Sequence, residues 1–167
     1  MINNNNRQRM KVDEVGLYSL TNRRWGKSMT NLLIQGIEKT NLFLRNGRNL
    51  DESPFHPTIG IDLTAGAGGL TVALAKSRYF NKVIAVEVDK DRAKLCLENM
   101  IEHGLDEIVD VRTEDSNHLI STFPQRAAFI IDPPWGGFGY KKDAGNIKLF
   151  VGDVPLETVV ENVAGHC

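Results

Sequence analysis

The run Ile130-Ile131-Asp132-Pro133-Pro134-Trp135-Gly136-Gly137 sets a carboxylate, a rigid turn and an aromatic ring side by side. Ala127 to Ile131 is short and apolar with β-branched residues, which reads as a buried strand. Two prolines cannot continue a ladder, so the strand must stop there. Asp132 and Trp135 would then stand at a strand's C-terminal end, where open α/β sheets bind their ligands. This arrangement suits group transfer to a planar amine. An exocyclic base amine is a poor nucleophile because its lone pair is delocalised into the ring. Asp132 can accept one N–H and the Pro133 carbonyl another, which biases the nitrogen toward a geometry that aims its lone pair at an electrophile. Trp135 can stack on the base, and Gly136-Gly137 lets backbone come close.

A second constellation precedes it. Thr58 to Leu63 reads as a buried strand, followed by the glycine loop Thr64-Ala65-Gly66-Ala67-Gly68-Gly69 and then a helix with Leu70, Ala73 and Leu74 inward. Strand, glycine loop and helix suit a nucleotide or a nucleotide-like cofactor. Asp62, four residues before Gly66, would repel a dinucleotide pyrophosphate but suits the cationic amino group of S-adenosylmethionine, directly or through water. Thr71 stands where the dinucleotide fingerprint wants glycine, and Asp62 with the Asp132-Pro133-Pro134-Trp135 run argues against a dinucleotide-dependent oxidoreductase. Glu87, 19 residues after Gly68 at the end of the next strand, has the spacing of an acceptor for both ribose hydroxyls. Asp89 competes for that role but is explained as a helix cap. Asp115 closes the third strand and can accept an adenine amine, or can be an ordinary strand-end turn residue.

The elements that must position these groups follow from periodicity. Lys82 to Val88 reads as the second strand, with a helix from Asp89 to about His103 that is apolar at 93, 96, 97, 100 and 101 and stops at Gly104. Ile108 to Arg112 is the third strand, and a short helix covers Asn117 to Ser121. Strands alternating with helices, without repeats, predict an α/β parallel sheet. Ahead of it, Val15 to Thr21 is expected to be extended, and Thr21 or Asn22 to cap a helix. That helix carries Trp25, Met29, Leu32, Leu33, Gly36 and Ile37 at helical spacing, with Trp25 packed, and Asn46-Gly47 ends it. Asn49 to Pro57 reads as a linker. A polar loop is expected after Tyr140, then a helix from Pro155 to Val163, with the proline in its first turn. The predicted organisation is a basic, Asn-rich disordered tail over 1–14, a helical segment over 15–48 and a core over 49–167.

The chain's 167 residues suit one domain, and 41% hydrophobic content suits a globular core. No apolar run reaches the ~18 residues of a membrane span. The first ten residues hold four asparagines and no apolar segment of a secretory signal. Cys96 and Cys167 lack metal-ligand spacing, no metal site is expected, and Cys96 falls on an apolar helix face. A reducing intracellular setting, nucleus or cytoplasm, fits this cysteine usage. Charge is uneven. Residues 1–48 carry nine Lys/Arg against three acids, a net of +6, and the chain's total of −1 leaves −7 for the rest. Such a basic third is either a solvated helix face with a tail or a surface that attracts phosphates.

Together these residues resemble class I S-adenosylmethionine-dependent methyltransferases. Asp62 to Gly69 is similar to their first motif, Glu87 to the ribose acid and Asp115 to the adenine-contacting acid. Asp132-Pro133-Pro134-Trp135 is similar to the [D/N/S]-P-P-aromatic motif of amine methyltransferases. Within that class the chain resembles the trimethylguanosine synthase family, which methylates the N2 amine of the 7-methylguanosine RNA cap. The pointers are Pro133-Pro134-Trp135-Gly136-Gly137 with Tyr140, and Gly16-Leu17-Tyr18-Ser19-Leu20-Thr21, similar to the segment before that family's first helix, which helps close the cofactor site.

The resemblance covers residues 15 to 163. It implies a Rossmann-like class I methyltransferase sheet, S-adenosylmethionine as cofactor and capped RNA as partner. It also implies a cofactor site of Thr21, Asp62, Thr64, Gly66, Gly68, Glu87, Asp115 and Asp132. Transfer would rest on Asp132, Pro133 and Trp135, and Trp135, Gly136 and Tyr140 would hold the base. Trp135 would stack on the cationic 7-methylguanine with a cation–π gain of about 0.5–2 kcal/mol. Asp132 departs from the serine common in cellular members and leaves room for other amines.

Two rival readings stay open. One is a base-amine methyltransferase acting on ribosomal RNA guanine or on adenine in DNA or RNA; the other is a non-catalytic cap- or cofactor-binding module. The resemblance also implies a seven-stranded sheet, of which this sequence supplies four strands. The expectation is therefore a sheet truncated after the fourth strand and following helix, in a fragment or shortened reading frame whose fourth strand is an apolar edge.

Overall fold

The computed structural model describes residues 10–14, 16–47, 57–134 and 148–166. Its centre is a four-stranded parallel sheet of β1 (Ile59–Asp62), β2 (Lys82–Val86), β3 (Val109–Arg112) and β4 (Ala127–Ile130), in the order β3-β2-β1-β4. This is the expected α/β, Rossmann-like architecture. Parallel neighbours require long crossovers, and helices supply them. α3 (Gly69–Lys76) joins β1 to β2, α4 (Lys90–Glu102) joins β2 to β3, and α5 (Ser116–Leu119) with a 3-10 turn over Ile120–Thr122 joins β3 to β4.

The sheet is buried on both faces, as near-continuous apolar strands demand. On β2 the pleat sends Val83 and Ala85 into one core with Leu74, Cys96 and Met100. It sends Ile84 and Val86 into the other, with Ile61, Leu63, Phe123 and Val159. Asp89 caps α4 as expected, its carboxylate accepting the N–H groups of Asp91 and Arg92.

Ahead of the sheet lie α1 (Gly16–Ser19) and α2 (Arg23–Gly47). The stretch expected to be extended is thus helical at 16–19. Asp13 nucleates the turn, its Oδ1 accepting the Gly16 N–H at 2.6 Å. Asn22 caps α2, accepting from the N–H groups of Arg24 and Trp25 at 3.0 and 3.1 Å. Trp25 is not packed but 64% exposed. α2 instead meets the core through Gly26, Thr30, Leu33, Ile37 and Asn41. A Cβ on Gly26 would come within 2.9 Å of the Ala73 Cβ, so α2 and α3 approach too closely at this seam for an indole. α4 shows a similar difference. Leu97 and Ile101 are exposed while Asn99 is fully buried.

Residues 10–13, which composition assigns to a tail, lie against α4. Asn99 holds them, its Oδ1 accepting the Lys11 N–H at 2.7 Å and its Nδ2 donating to the Lys11 carbonyl at 2.8 Å. After residue 147 the expected polar loop is instead a hairpin of β5 (Phe150–Val151) and β6 (Val154–Pro155). α6 (Leu156–His166) follows, so Pro155 precedes the helix rather than entering its first turn. Among the described residues no helix is long and apolar enough to cross a membrane. No group of three His, Cys, Asp or Glu among them is placed to hold a metal.

Candidate active site

Strand register gathers the acids. Asp62 pairs with Ala85 on one side and Ile130 on the other, and Val86 pairs with Arg112. Asp62, Glu87, Asp115 and Asp132 therefore all lie at the C-terminal edge of the sheet, within three residues of the strand ends. The crevice between β1 and β4 sits where the strand order reverses, the usual ligand position in such sheets. A cleft of about 210 Å³ opens there.

Its walls carry Thr21, Thr64, Gly66, Glu87, Asp115, Asp132 and Pro133, all expected at the site. Trp135, Gly136 and Tyr140, assigned to the base, lie outside the described residues.

Two expected residues, Asp62 and Gly68, are not on the cleft wall but behind it. Asp62 is fully buried, accepting the Thr71 hydroxyl at 2.8 Å and the Thr64 N–H at 3.3 Å. Burial pushes its carboxyl up to about 6, and those two hydrogen bonds only partly oppose the shift. Thr71 is thus the hydroxyl that holds a buried carboxylate beneath the loop. Gly68 has φ +92°, and a Cβ there would meet Met100 Cε at 2.7 Å and Cys96 Sγ at 2.9 Å. Its glycine is fixed by backbone conformation and by the core rather than by a ligand.

Thr64 links the two halves of the site. Its backbone rests on Asp62, and its hydroxyl accepts the Asp132 N–H at 2.8 Å. Asp132 in turn accepts the Thr21 hydroxyl at 2.9 Å through Oδ2. Glu87 is 8% exposed and braces the loop, accepting the Gly66 N–H at 2.8 Å and the Asp89 N–H at 2.9 Å. Each carboxylate oxygen has two lone pairs, so Glu87 keeps one on each for a hydroxyl. Asp115 caps α5 through Oδ1, accepting the N–H of Asn117 at 2.9 Å, and still faces the cleft.

The wall also carries residues outside the expected site set, of which the segment 16–21 has a sequence signal while Val88, Val151 and Gly152 have none. Val88 is 66% exposed beside Glu87 and offers an apolar plate next to the carboxylate. Val151 and Gly152 reach the cleft from the hairpin, which Asn117 ties down by donating to the Val151 carbonyl at 3.0 Å. Leu20 and Gly16 arrive from α1 and its end. A Cβ on Gly69 would meet the Thr21 carbonyl at 2.5 Å, so that glycine lets the N-terminal segment lie on the loop. The sequence marks Gly69 as the end of the glycine loop, while its close approach to the N-terminal segment shows only in the structure.

A family described as RNA cap guanine-N2 methyltransferase matches residues 57–162. No curated protein sequence matches. Among solved structures, similarity is found to a putative RNA methyltransferase from Pyrococcus horikoshii, 22% identical over 72% of this chain and 52% of that one, with a TM-score of 0.41. An RNA methyltransferase from Salinibacter ruber in complex with S-adenosyl-L-homocysteine is 20% identical over 50% of this chain and 48% of that one, with a TM-score of 0.34. A SAM-dependent methyltransferase from Agrobacterium tumefaciens is 18% identical over 57% of this chain and 26% of that one, with a TM-score of 0.39. The chain spans about a quarter to a half of the length of these three structures.

Proposed function

This chain belongs to the RNA cap guanine-N2 methyltransferase family, and on that premise we propose that it transfers a methyl group from S-adenosylmethionine to the N2 amine of a 7-methylguanosine RNA cap. The observation that carries the reading is the convergence of the Asp132-Pro133-Pro134 turn and the glycine loop on one cleft at the β1–β4 switch. An amine acceptor site and a nucleoside site would have to adjoin for direct transfer, and here Thr64 hydrogen-bonds across them.

The cleft fits the cofactor. Glu87 offers carboxylate lone pairs for ribose hydroxyls, Val88 an apolar plate for a purine, and Asp115 an acceptor at its far side. Bound S-adenosylmethionine supplies an electrophilic sulfonium methyl. Asp132, held by Thr21 and Thr64, orients the N2 amine by accepting one N–H, and the Pro133 carbonyl accepts the other. Transfer would form the C–N bond with S-adenosylhomocysteine as the leaving group and release the amine proton; this chain's own part is to hold the amine oriented for it. Positioning therefore carries most of the catalysis, with no strong base required. Trp135 selects the cationic base by stacking, which favours N7-methylated over unmethylated guanine.

The test is labelled methyl transfer from S-adenosylmethionine to 7-methyl-GDP, beside GDP and uncapped ribosomal RNA. Product on 7-methyl-GDP alone, lost in Trp135→Ala and Asp132→Ala with cofactor binding retained, is the expected result. Transfer to ribosomal RNA alone would overturn the cap assignment. Cofactor and cap affinity without transfer would point to a binding module.

A further inference from the structure

The first turns of α2 break a rule of helix electrostatics. Unsatisfied N–H groups make a helix N-terminus positive, and acids are favoured there. α2 has no acid in its first turn and begins Arg23-Arg24, with Lys27 one turn on. All three side chains are exposed. Among the described residues none of the three forms an ion pair. Lys76, at the end of α3, is held below its usual range by burial and by the nearby Arg23 charge, so cations crowd at this end of the helix pair. The concentration of positive charge is local. The chain beyond residue 48 carries a net −7.

Trp25 stands among these cations and is 64% exposed, an unusual state for the most costly side chain to leave in water. Trp25, Leu32 and Lys39 recur every seven residues and form one solvent-facing stripe opposite the packed residues Thr30 and Ile37. The stripe starts next to the cleft. Thr21, which lines it, lies two residues ahead of α2 and four residues before Trp25.

Resting on the reading that the acceptor is RNA, we propose that the start of α2 is a single-strand RNA-binding surface, with Arg23, Arg24 and Lys27 on backbone phosphates and Trp25 stacking on an unpaired base just outside the cleft. Cations interleaved with an exposed aromatic are what a flexible polyanion with π-faces requires, and each base presents such a face whatever its identity. The surface therefore reads no sequence. It strengthens binding of an RNA chain relative to an isolated cap.

The experiment is fluorescence anisotropy with a labelled twelve-nucleotide single-stranded RNA, capped and uncapped, and competition by 7-methyl-GDP. The proteins are wild type, Trp25→Ala, Trp25→Phe and the triple variant Arg23→Gln/Arg24→Gln/Lys27→Gln. Melting curves check that each is folded. Trp25→Ala is expected to weaken the uncapped oligonucleotide about tenfold, with Trp25→Phe restoring most of it. The triple variant is expected to lower the slope of log affinity against log salt by about 2, at roughly 0.7 per lost phosphate contact. In both, the ratio of affinities for capped oligonucleotide over 7-methyl-GDP collapses toward one. Folded variants with wild-type oligonucleotide affinity and salt slope would overturn the proposal. So would a Trp25→Ala change in sedimentation from dimer to monomer with RNA affinity intact, which would make the stripe a contact between copies. Uncapped RNA binding reads this surface without transfer, whereas absence of transfer to 7-methyl-GDP would remove the cap reading alone.

Discussion

Thr21 and Asp132, 111 residues apart in the chain, share a hydrogen bond of 2.9 Å, hydroxyl to carboxylate. It ties the segment ahead of α2 to the turn that ends β4. The same Asp132 donates its backbone N–H to Thr64 of the glycine loop. Glycine loop, Asp132-Pro133 turn and N-terminal segment are thus joined at one carboxylate. Thr21 is a positioning residue in this arrangement, because it fixes one Asp132 oxygen and so the direction of the other.

Thr21→Val keeps the shape and removes the donor. A hydrogen bond to a charged group contributes about 1.5–3 kcal/mol, and part-burial here puts the expected stability loss near the lower end. Methyl transfer is expected to fall about tenfold in kcat with cofactor affinity little changed, and Thr21→Ser is expected to restore it. Steady-state kinetics on the three proteins checks this, and a loss confined to melting temperature would contradict it.

Gly69→Ala separates segment docking from core stability. Gly69 is the first residue of α3, where alanine is tolerated by the helix itself, but the new Cβ would meet the Thr21 carbonyl at 2.5 Å. The segment from 10 to 22 is expected to lift while the sheet stays folded. Limited proteolysis should cleave there faster than in wild type, with little change in melting temperature.

Asp62 makes stability depend on pH. Its folded pKa, about 6, lies above the ordinary 3.8 because burial disfavours the charge. The folded state therefore prefers the proton, and this stabilisation is full below about pH 4 and lost as pH rises through 6. The difference corresponds to about 3 kcal/mol at 1.36 kcal/mol per unit. Asp62→Asn removes the titration. Its stability relative to wild type is expected to improve by roughly that amount between pH 4 and 7 and then level off. Denaturant melts across this range decide it; a pH-independent difference would show that folding does not raise the Asp62 pKa, and a difference still growing above pH 7 would show that Asp62 stays protonated in the folded protein.

Asn99→Leu tests the buried amide that joins Lys11 to the loop. Asn99 Nδ2 also donates to the Ala67 carbonyl at 2.8 Å. The substitution strands the Ala67 carbonyl and frees the Lys11 backbone. One buried unsatisfied group costs about 1–3 kcal/mol. Hydrogen exchange should show the Lys11 N–H losing its protection before α4 does.

Burial pushes the Cys96 thiol up to about 12, with Asp62 adding to the shift. Little thiolate exists near pH 8, and the sulfur is fully buried. In a Cys167→Ser background, thiol reagents are expected to modify Cys96 only at the rate of unfolding. Labelling kinetics in rising denaturant tests this.

Much of the sheet was legible because its signals are local. Apolar runs end at glycines, prolines and acids, so β1 to β4 and α3 to α5 fall within a few residues of where periodicity places them. The carboxylates at the strand ends follow from the same reasoning, since parallel strands in register bring their C-terminal ends to one edge. Less was legible where a residue's neighbour is distant in sequence. Trp25 has the spacing of a core residue, but α2 presses α3 through Gly26, and closeness of backbones there turns the indole outward. Helical spacing fixes which residues share a face; it cannot tell which face meets a partner.

What the sequence determined by itself was chemistry by composition and spacing: a glycine loop, acids at strand ends, and a proline turn carrying Asp132. What the tertiary structure decided was which of those groups reach the cleft. Asp62 and Gly68 belong to the same motif as Thr64 and Gly66, yet the first pair serves the interior and the second lines the wall. The physical reason is that one turn of backbone points its groups both ways. The sequence orders them along the chain, but only packing against Thr71, Cys96 and Met100 decides which are taken out of water.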